Sequence, residues 1–294
     1  MDVHMALKGS AFATRQNYLR GIKILIEYYQ RLPEDCTVDE IKSYLVYQRE
    51  QLNIASSTLN VRVCSLKYYF RHIANRLDLV VKIPNPRVQK FDTEIFTPAE
   101  MKIIFKTCRD VRQLLIIQLL FDCGLRIGEV IKLRASDFDK TSHTITIRNS
   151  KGSKTRVVFY GTSLKQTLNQ YAKAIGIKQA YPPVSRFPHL KVSQTFILRN
   201  RSFIQSYKDS GKPLSISGIQ HIIKRIIRRA NLSKRGSAHT LRHTFAVHYL
   251  NRGGSIFSLQ LLLGHSHIST TLGYLKYAKL PDGDRVSVLD SLTE

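Results

Sequence analysis

The chain has 294 residues, long enough for two domains, and its 43% hydrophobic content suffices for ordinary cores. Its 46 Lys and Arg against 21 Asp and Glu leave a formal net charge of +25, which self-pairing cannot neutralise and which predicts an external polyanion, above all nucleic acid. No apolar run approaches the about 20 residues of a membrane span, and MDVHMALKGSAFATRQ lacks the apolar core of a secretory signal. Cys36, Cys64, Cys108 and Cys123 show no CxxC spacing, so neither a zinc finger nor a disulfide framework is indicated. The expectation is a cytoplasmic protein that binds nucleic acid, with no membrane partner.

The first 85 or so residues read as helix. From Thr14 onward Tyr18, Leu19, Ile22, Leu25, Ile26 and Tyr29 mark one apolar face, with about a dozen residues ahead of this first helix. Thr37 and Glu40 form a capping box ahead of Ile41, Tyr44 and Leu45. Ser56 and Ser57 open a third helix running through Val61, Leu66, Tyr69, Phe70 and Ile73, and a short fourth segment falls near 76–81. Pro84 and Pro86 then disfavour a continuing helix, and residues 86–95 read as a linker between a helical domain, 1–85, and a second domain, 96–294.

That second domain opens on TPAE, with Thr97 as N-cap, Pro98 at the first helical position and Glu100 completing the box. An apolar helix from Leu114 to Phe121 stops at Gly124, and another starts near Arg126 with Ile127, Val130 and Ile131. The period then changes to two in HTITIRN (143–149) and TRVVFY (155–160), which SKGSK joins into a β-hairpin. Helices resume near 163–175, 217–230, 239–251, 258–263 and 269–279, and FILR (196–199) suggests one more strand. The fold class is therefore mainly α with a small β-ribbon, which excludes a Rossmann sheet.

The basic excess is uneven. Residues 1–90 carry 14 Lys and Arg against 8 acids, whereas between Lys140 and Pro281 there are 24 Lys and Arg and a single acid, Asp209. Apolar patterning persists through this stretch, so it reads as a folded cationic surface for a phosphate backbone rather than a disordered tail. No GxxxxGK[ST] and no GxGxxG after a strand is present, so the usual phosphate cradle of nucleotide chemistry is missing. The basic domain also lacks the carboxylates that a two-metal nuclease uses. His239 and His243 stand one helical turn apart, but no Glu lies between them as HExxH requires. Cleaving phosphodiesters without a metal needs fixed cations, a nucleophile and a proton donor for the leaving oxygen.

The sequence holds such a set. FDCGLRIGEV around Arg126, SKGSKTR in the hairpin, HTLRHTFAVHYL at 239–250 and LLLGHSHISTTLGY ending at Tyr274 together resemble the ordered motifs of the tyrosine site-specific recombinases, the lambda-integrase family. The resemblance spans roughly residues 10–280 and implies an N-terminal core-binding domain followed by a catalytic domain. It makes Arg126 and Arg242 two guanidinium forks on the scissile phosphate, for which planar bidentate geometry suits arginine. On their own residues, Arg126 also reads as a surface arginine pairing Glu129, and Arg242 as an ion-paired helix residue. Lys151, at the hairpin turn beside Gly152, becomes the proton donor to the leaving 5′ oxygen, with Lys154 as its rival. His239 takes part in proton transfer with nucleophile or phosphate, and His265 donates a hydrogen bond to the phosphate. His243, His248 and His267 are expected to serve packing or surface roles. Tyr274, nine residues after His265, is the nucleophile, with Tyr277 as its competitor, and Glu129 orients an arginine.

The resemblance further implies that the two domains clamp a duplex DNA site with inverted repeats, and that a 3′-phosphotyrosyl link and a Holliday junction form. No cofactor, neither ATP nor divalent metal, is needed, because the covalent link conserves the bond energy. It implies self-association into a tetramer on two DNA sites, with an accessory protein left open, and localisation with the bacterial nucleoid. The tail departs from a long exchange helix, although Val286, Val288 and Leu289 could dock on a neighbour, and the short N-terminal lead, without room for an arm-site DNA-binding domain, points to a simple Xer-like or transposon-type enzyme. A type IB topoisomerase and a non-catalytic DNA-binding or architectural protein are the alternatives.

Overall fold

The structure, a computed structural model, describes residues 1–86, 94–148, 155–175, 203–204 and 213–279. The chain forms two compact units, Met1–Asp92 and Thr93–Glu294. Among the described residues no helix is long and apolar enough to cross a membrane.

The first unit contains α1 (Asp2–Leu7), α2 (Phe12–Tyr29), α3 (Val38–Glu50), α4 (Ser56–His72) and α5 (Leu77–Lys82). The apolar stripe of α2 buries Ile22 and Leu25 against Ile41 and Tyr44 of α3 and Leu59, Val63, Leu66 and Phe70 of α4. Helices α2 and α4 approach closely at Gly21, where any Cβ would overlap the Ser65 side chain. Thr37 caps α3 through the full reciprocal box with Glu40. The first helix comes earlier than its expected start beyond residue 12. A six-residue α1 is too short to show a periodicity and is held by tertiary contacts: Met5 is buried, Asp2 pairs with Arg15 at 3.3 Å, and His4 Nδ1 lies 2.8 Å from the Tyr68 hydroxyl.

The second unit begins with α6 (Pro98–Thr107), capped by Thr97 and Glu100 as a reciprocal box with Pro98 in the first turn. The apolar α7 (Val111–Phe121) crosses the core, and α8 (Ile127–Lys132) starts immediately after Arg126. Gly124 between them adopts φ +59°, and a Cβ there would overlap the Phe245 ring, so both its backbone and its surroundings demand glycine. An antiparallel sheet of order β1-β2-β3 follows: β1 (Phe138–Asp139), β2 (Thr144–Ile147) and β3 (Arg156–Phe159). The expected hairpin thus gains a short third strand. Ile145 faces Val158 and Ile147 faces Arg156, and the alternation along β3 buries Arg156 and Val158 while exposing Val157 and Phe159.

Next come α9 (Thr162–Ala174), α10 (Ile216–Ala230), α11 (Ala238–Asn251), α12 (Ile256–Leu263) and α13 (Ile268–Leu272). Helix α10 buries Ile219, Ile223, Ile226 and Ile227 and turns Lys224, Arg225 and Arg228 to solvent. The continuous helix expected over 269–279 is instead broken. α13 ends at Leu272, Gly273 is its C-cap, and Leu275–Tyr277 forms a separate 3-10 turn. Tyr274 therefore sits in the break, its amide bonded to Thr271 O at 3.0 Å. The hairpin turn with Lys151, Gly152 and Lys154, the FILR segment, and the tail with Val286, Val288 and Leu289 lie outside the described residues.

Candidate active site

The C-terminus of α12 leaves carbonyls that its own helix cannot satisfy, at the negative end of the helix dipole. Three arginines from three other elements take them in succession. Arg156 Nε donates to Leu262 O at 2.7 Å, Arg242 Nη2 to Leu263 O at 2.7 Å, and Arg126 Nη2 to Gly264 O at 3.3 Å. Gly264 closes the helix at φ +63°, and a Cβ there would come within 3.1 Å of the Arg156 side chain. A single carboxylate ties the set together. Glu129 accepts from Arg156 Nη1 and Nη2, both at 2.8 Å, from Arg126 Nη1 at 3.1 Å, and from the Arg126 amide at 2.8 Å. Arg242 Nη1 lies 4.0 Å from the same carboxylate.

The two arginines differ in access. Arg126 is 38% exposed and its described contacts use two of its side-chain N–H groups, so the rest of the fork faces outward. Arg242 is 3% exposed and also reaches Gly124 O at 2.6 Å. Burial, then the neighbouring Arg126 charge, draws its pKa down to about 10, so it stays protonated at neutral pH.

Arg242 Nη2 also lies 3.2 Å from His265 Nε2. A guanidinium only donates, so Nε2 accepts, the ring proton sits on Nδ1, and Nδ1–H donates to Thr271 Oγ1 at 2.9 Å. Burial, then the Arg242 charge, pushes the His265 pKa down to about 4, consistent with a neutral ring. Both nitrogens are occupied and Nε2 carries no hydrogen, so donation from it to a phosphate requires the Arg242 contact to yield and a proton to be placed on Nε2.

Tyr274 is 7% exposed, and its ring stacks on His265 with centroids 6.3 Å apart and planes 10° from parallel. Its hydroxyl lies 2.8 Å from His243 Nδ1. Burial raises the phenol pKa, while Arg242 and Arg126 oppose that rise. His239 is exposed and stacks on His243 at 6.0 Å.

Arg126, Arg242, His265 and Tyr274 thus converge, and His239 joins them through His243. Lys151 is not among the described residues. His243, expected to pack or to lie at the surface, is part-buried with its Nδ1 against the Tyr274 hydroxyl. His248 does serve packing, with Nε2 2.8 Å from Phe96 O and its ring edge-on to Phe121. Tyr277 lies beneath Lys276, whose Nζ is 4.4 Å from the ring centroid. Arg156 escaped the sequence reading: alternation in TRVVFY separates Arg156 and Val158 from Val157 and Phe159 but does not say which pair is buried, and the structure buries the first. Among the described residues no group of three or more His, Cys, Asp or Glu could hold a metal ion.

Residues 94–280 match the phage integrase family and residues 1–77 the phage integrase N-terminal SAM-like domain. The chain is 30% identical over 251 residues to tyrosine recombinase XerC of Pediococcus pentosaceus, covering 82% of this chain and 77% of that protein. A putative integrase/recombinase y4qK of Sinorhizobium fredii is 24% identical over 279 residues, covering 95% and 83% respectively. The fold is similar to that of lambda integrase (75–356), solved as a dimer bound to a COC′ core site, with a TM-score of 0.73 at 20% identity over 98% of this chain and 96% of that one. It is likewise similar to the Tn1549 transposon integrase in complex with transposon right end DNA, with a TM-score of 0.68 at 17% identity over 96% of this chain and 90% of that one. Two family models that together cover both units, and a relative at this identity, carry one conclusion: the chain belongs to the phage integrase family, the tyrosine recombinases.

Proposed function

We propose that the protein is a site-specific DNA recombinase that cuts and rejoins duplex DNA, with Tyr274 as nucleophile. The observation that carries this reading is the convergence of Arg126 and Arg242 on the carbonyls that end α12, with His265 bridging from Arg242 to the ring of Tyr274. A phosphodiester in attack gains negative charge on its nonbridging oxygens, and preorganised guanidinium forks stabilise it at no cost in reorganisation. Arg126 supplies the accessible fork. Arg242, locked by Gly124 O and Leu263 O, supplies a fixed one.

In this reading Tyr274 Oη attacks phosphorus and the P–O5′ bond breaks, leaving a 3′-phosphotyrosyl link and a 5′ oxygen that Lys151 protonates. A 5′ hydroxyl of a partner duplex then attacks the link and releases Tyr274, and a second exchange resolves the junction. The partner is a duplex recombination site with inverted repeats, held by a tetramer of this chain on two such sites. The +25 net charge supports binding to the phosphate backbone.

The test uses nicked suicide duplexes tiling the DNA that flanks the protein's own gene, incubated in EDTA with the wild type and with Tyr274→Phe. A covalent protein–DNA band on a denaturing gel that disappears in the variant supports the proposal. A band that persists in the variant moves the nucleophile elsewhere, Tyr277 first.

A further inference from the structure

The recombinase reading leaves open which group takes the phenolic proton, and the motif alone points to His239. We propose that His243 is a catalytic residue that receives the Tyr274 proton during attack; this rests on the reading of Tyr274 as nucleophile. His243 Nδ1 stands 2.8 Å from Tyr274 Oη, within the reach required of a general base. The His243 and Tyr274 ring centroids are 5.4 Å apart with the planes tilted by 53°, and His239 stacks on His243 at 6.0 Å. The i, i+4 spacing on α11 produces this order, one histidine against the phenol and the other against the first histidine.

The direction of the hydrogen bond follows from the surrounding charge. The groups that face the His243 ring are His239 and Arg242 on its own helix, Tyr274, and, across the site, His265. Burial, His239 and Arg242 push its pKa down to about 4, so the ring is neutral at neutral pH and Nδ1 can accept the phenol hydrogen. The resting proton therefore stays on the Tyr274 oxygen. A bound phosphodiester places negative charge beside Arg126 and Arg242 and offsets the field that opposes a second cation. As the O–P bond forms, the phenolic proton becomes strongly acidic. The Tyr274 O–H bond breaks and its proton passes to His243 Nδ1, Oη bonds to phosphorus, P–O5′ breaks, and the leaving oxygen is protonated by the acid assigned to Lys151. In rejoining, the imidazolium returns its proton to Tyr274.

The test measures single-turnover formation of the covalent complex on the same suicide duplexes between pH 6 and 10, with His243→Asn, His243→Ala and His239→Ala. Asn offers an oxygen to the phenol but accepts no proton. Both His243 variants are expected to slow the reaction by about 10²- to 10³-fold at pH 7. The deficit should shrink at least about tenfold towards pH 10, where solvent hydroxide takes the phenolic proton. A deficit constant across pH, or His243→Asn as fast as wild type, overturns the proposal and leaves His243 a positioning residue. A pH-dependent deficit confined to His239→Ala overturns it in favour of His239. Absence of a Tyr274-dependent complex in the wild type instead overturns the nucleophile reading itself.

Discussion

Replacing Glu129 with Gln tests whether one carboxylate sets the arginine constellation. Its two oxygens receive four N–H donors, from Arg156 Nη1 and Nη2, Arg126 Nη1 and the Arg126 amide. The Glu129 and Arg156 side chains are only 9% and 8% exposed, so water cannot replace what is lost. Gln keeps one acceptor oxygen and turns an NH2 towards guanidinium donors, leaving the Arg156 charge uncompensated. Removing one partner of a buried pair costs about 3–5 kcal/mol, and the remaining oxygen puts this variant at the lower end. At about 2–4 °C per kcal/mol for a unit of this size, Tm should fall by roughly 6–12 °C in thermal unfolding followed by circular dichroism. Arg126 loses its orientation as well, and covalent-complex formation should slow by about 10²-fold. The pH dependence has a definite sign. Burial pushes the Glu129 carboxyl up, but Arg156 and Arg126 outweigh it and hold the pKa below its ordinary 4.5. Its stabilisation is therefore complete above about pH 4.5 and is lost as pH falls through the lower folded value, and the variant lacks that component. A loss under about 1 kcal/mol with unimpaired DNA cleavage would refute the reasoning.

Further outcomes follow from the same contacts. Arg242→Lys cannot span Gly124 O, Leu263 O and His265 Nε2 together, so suicide-substrate cleavage should fall by about 10²-fold or more, and near-normal cleavage would contradict the fixed-fork assignment. Gly124→Ala meets both φ +59° and the Phe245 ring, and denaturant unfolding should show a loss of about 2 kcal/mol or more, against none if the turn simply relaxes. By NMR, His243 and His265 should titrate near 4 rather than 6.5, because burial, reinforced by Arg242 and for His243 first by His239, disfavours their charged forms. The unfolded chain then binds those protons first, so stability declines as pH falls from 6.5 towards 4, and midpoints near 6.5 would contradict the burial argument.

What the sequence disclosed depended on how local each determinant is. Thr37 with Glu40 and Thr97 with Glu100 complete their boxes within four residues, and both helix starts were legible. Helix α1 was not, since its stability comes from Arg15 and Tyr68, far along the chain. The break at Gly273 and Tyr274 was hidden because helical periodicity does not reveal a tightened turn: the helix ISTTL ends at Leu272 and the chain continues as a 3-10 turn. Motif order brought Arg126, Arg242, His265 and Tyr274 into view. The contacts that organise them were not visible, because Arg156 meets Glu129 across 27 residues and His243 meets Tyr274 across 31. Neither pairing has a spacing that a linear pattern records.

The most direct test of the central claim is to isolate the covalent protein–DNA complex, digest both components, and identify the nucleotide-bearing peptide by mass spectrometry. The account predicts a phosphodiester on Tyr274 joined to a 3′ nucleotide. An adduct on Tyr277, on a serine, or through a 5′ phosphate would contradict it.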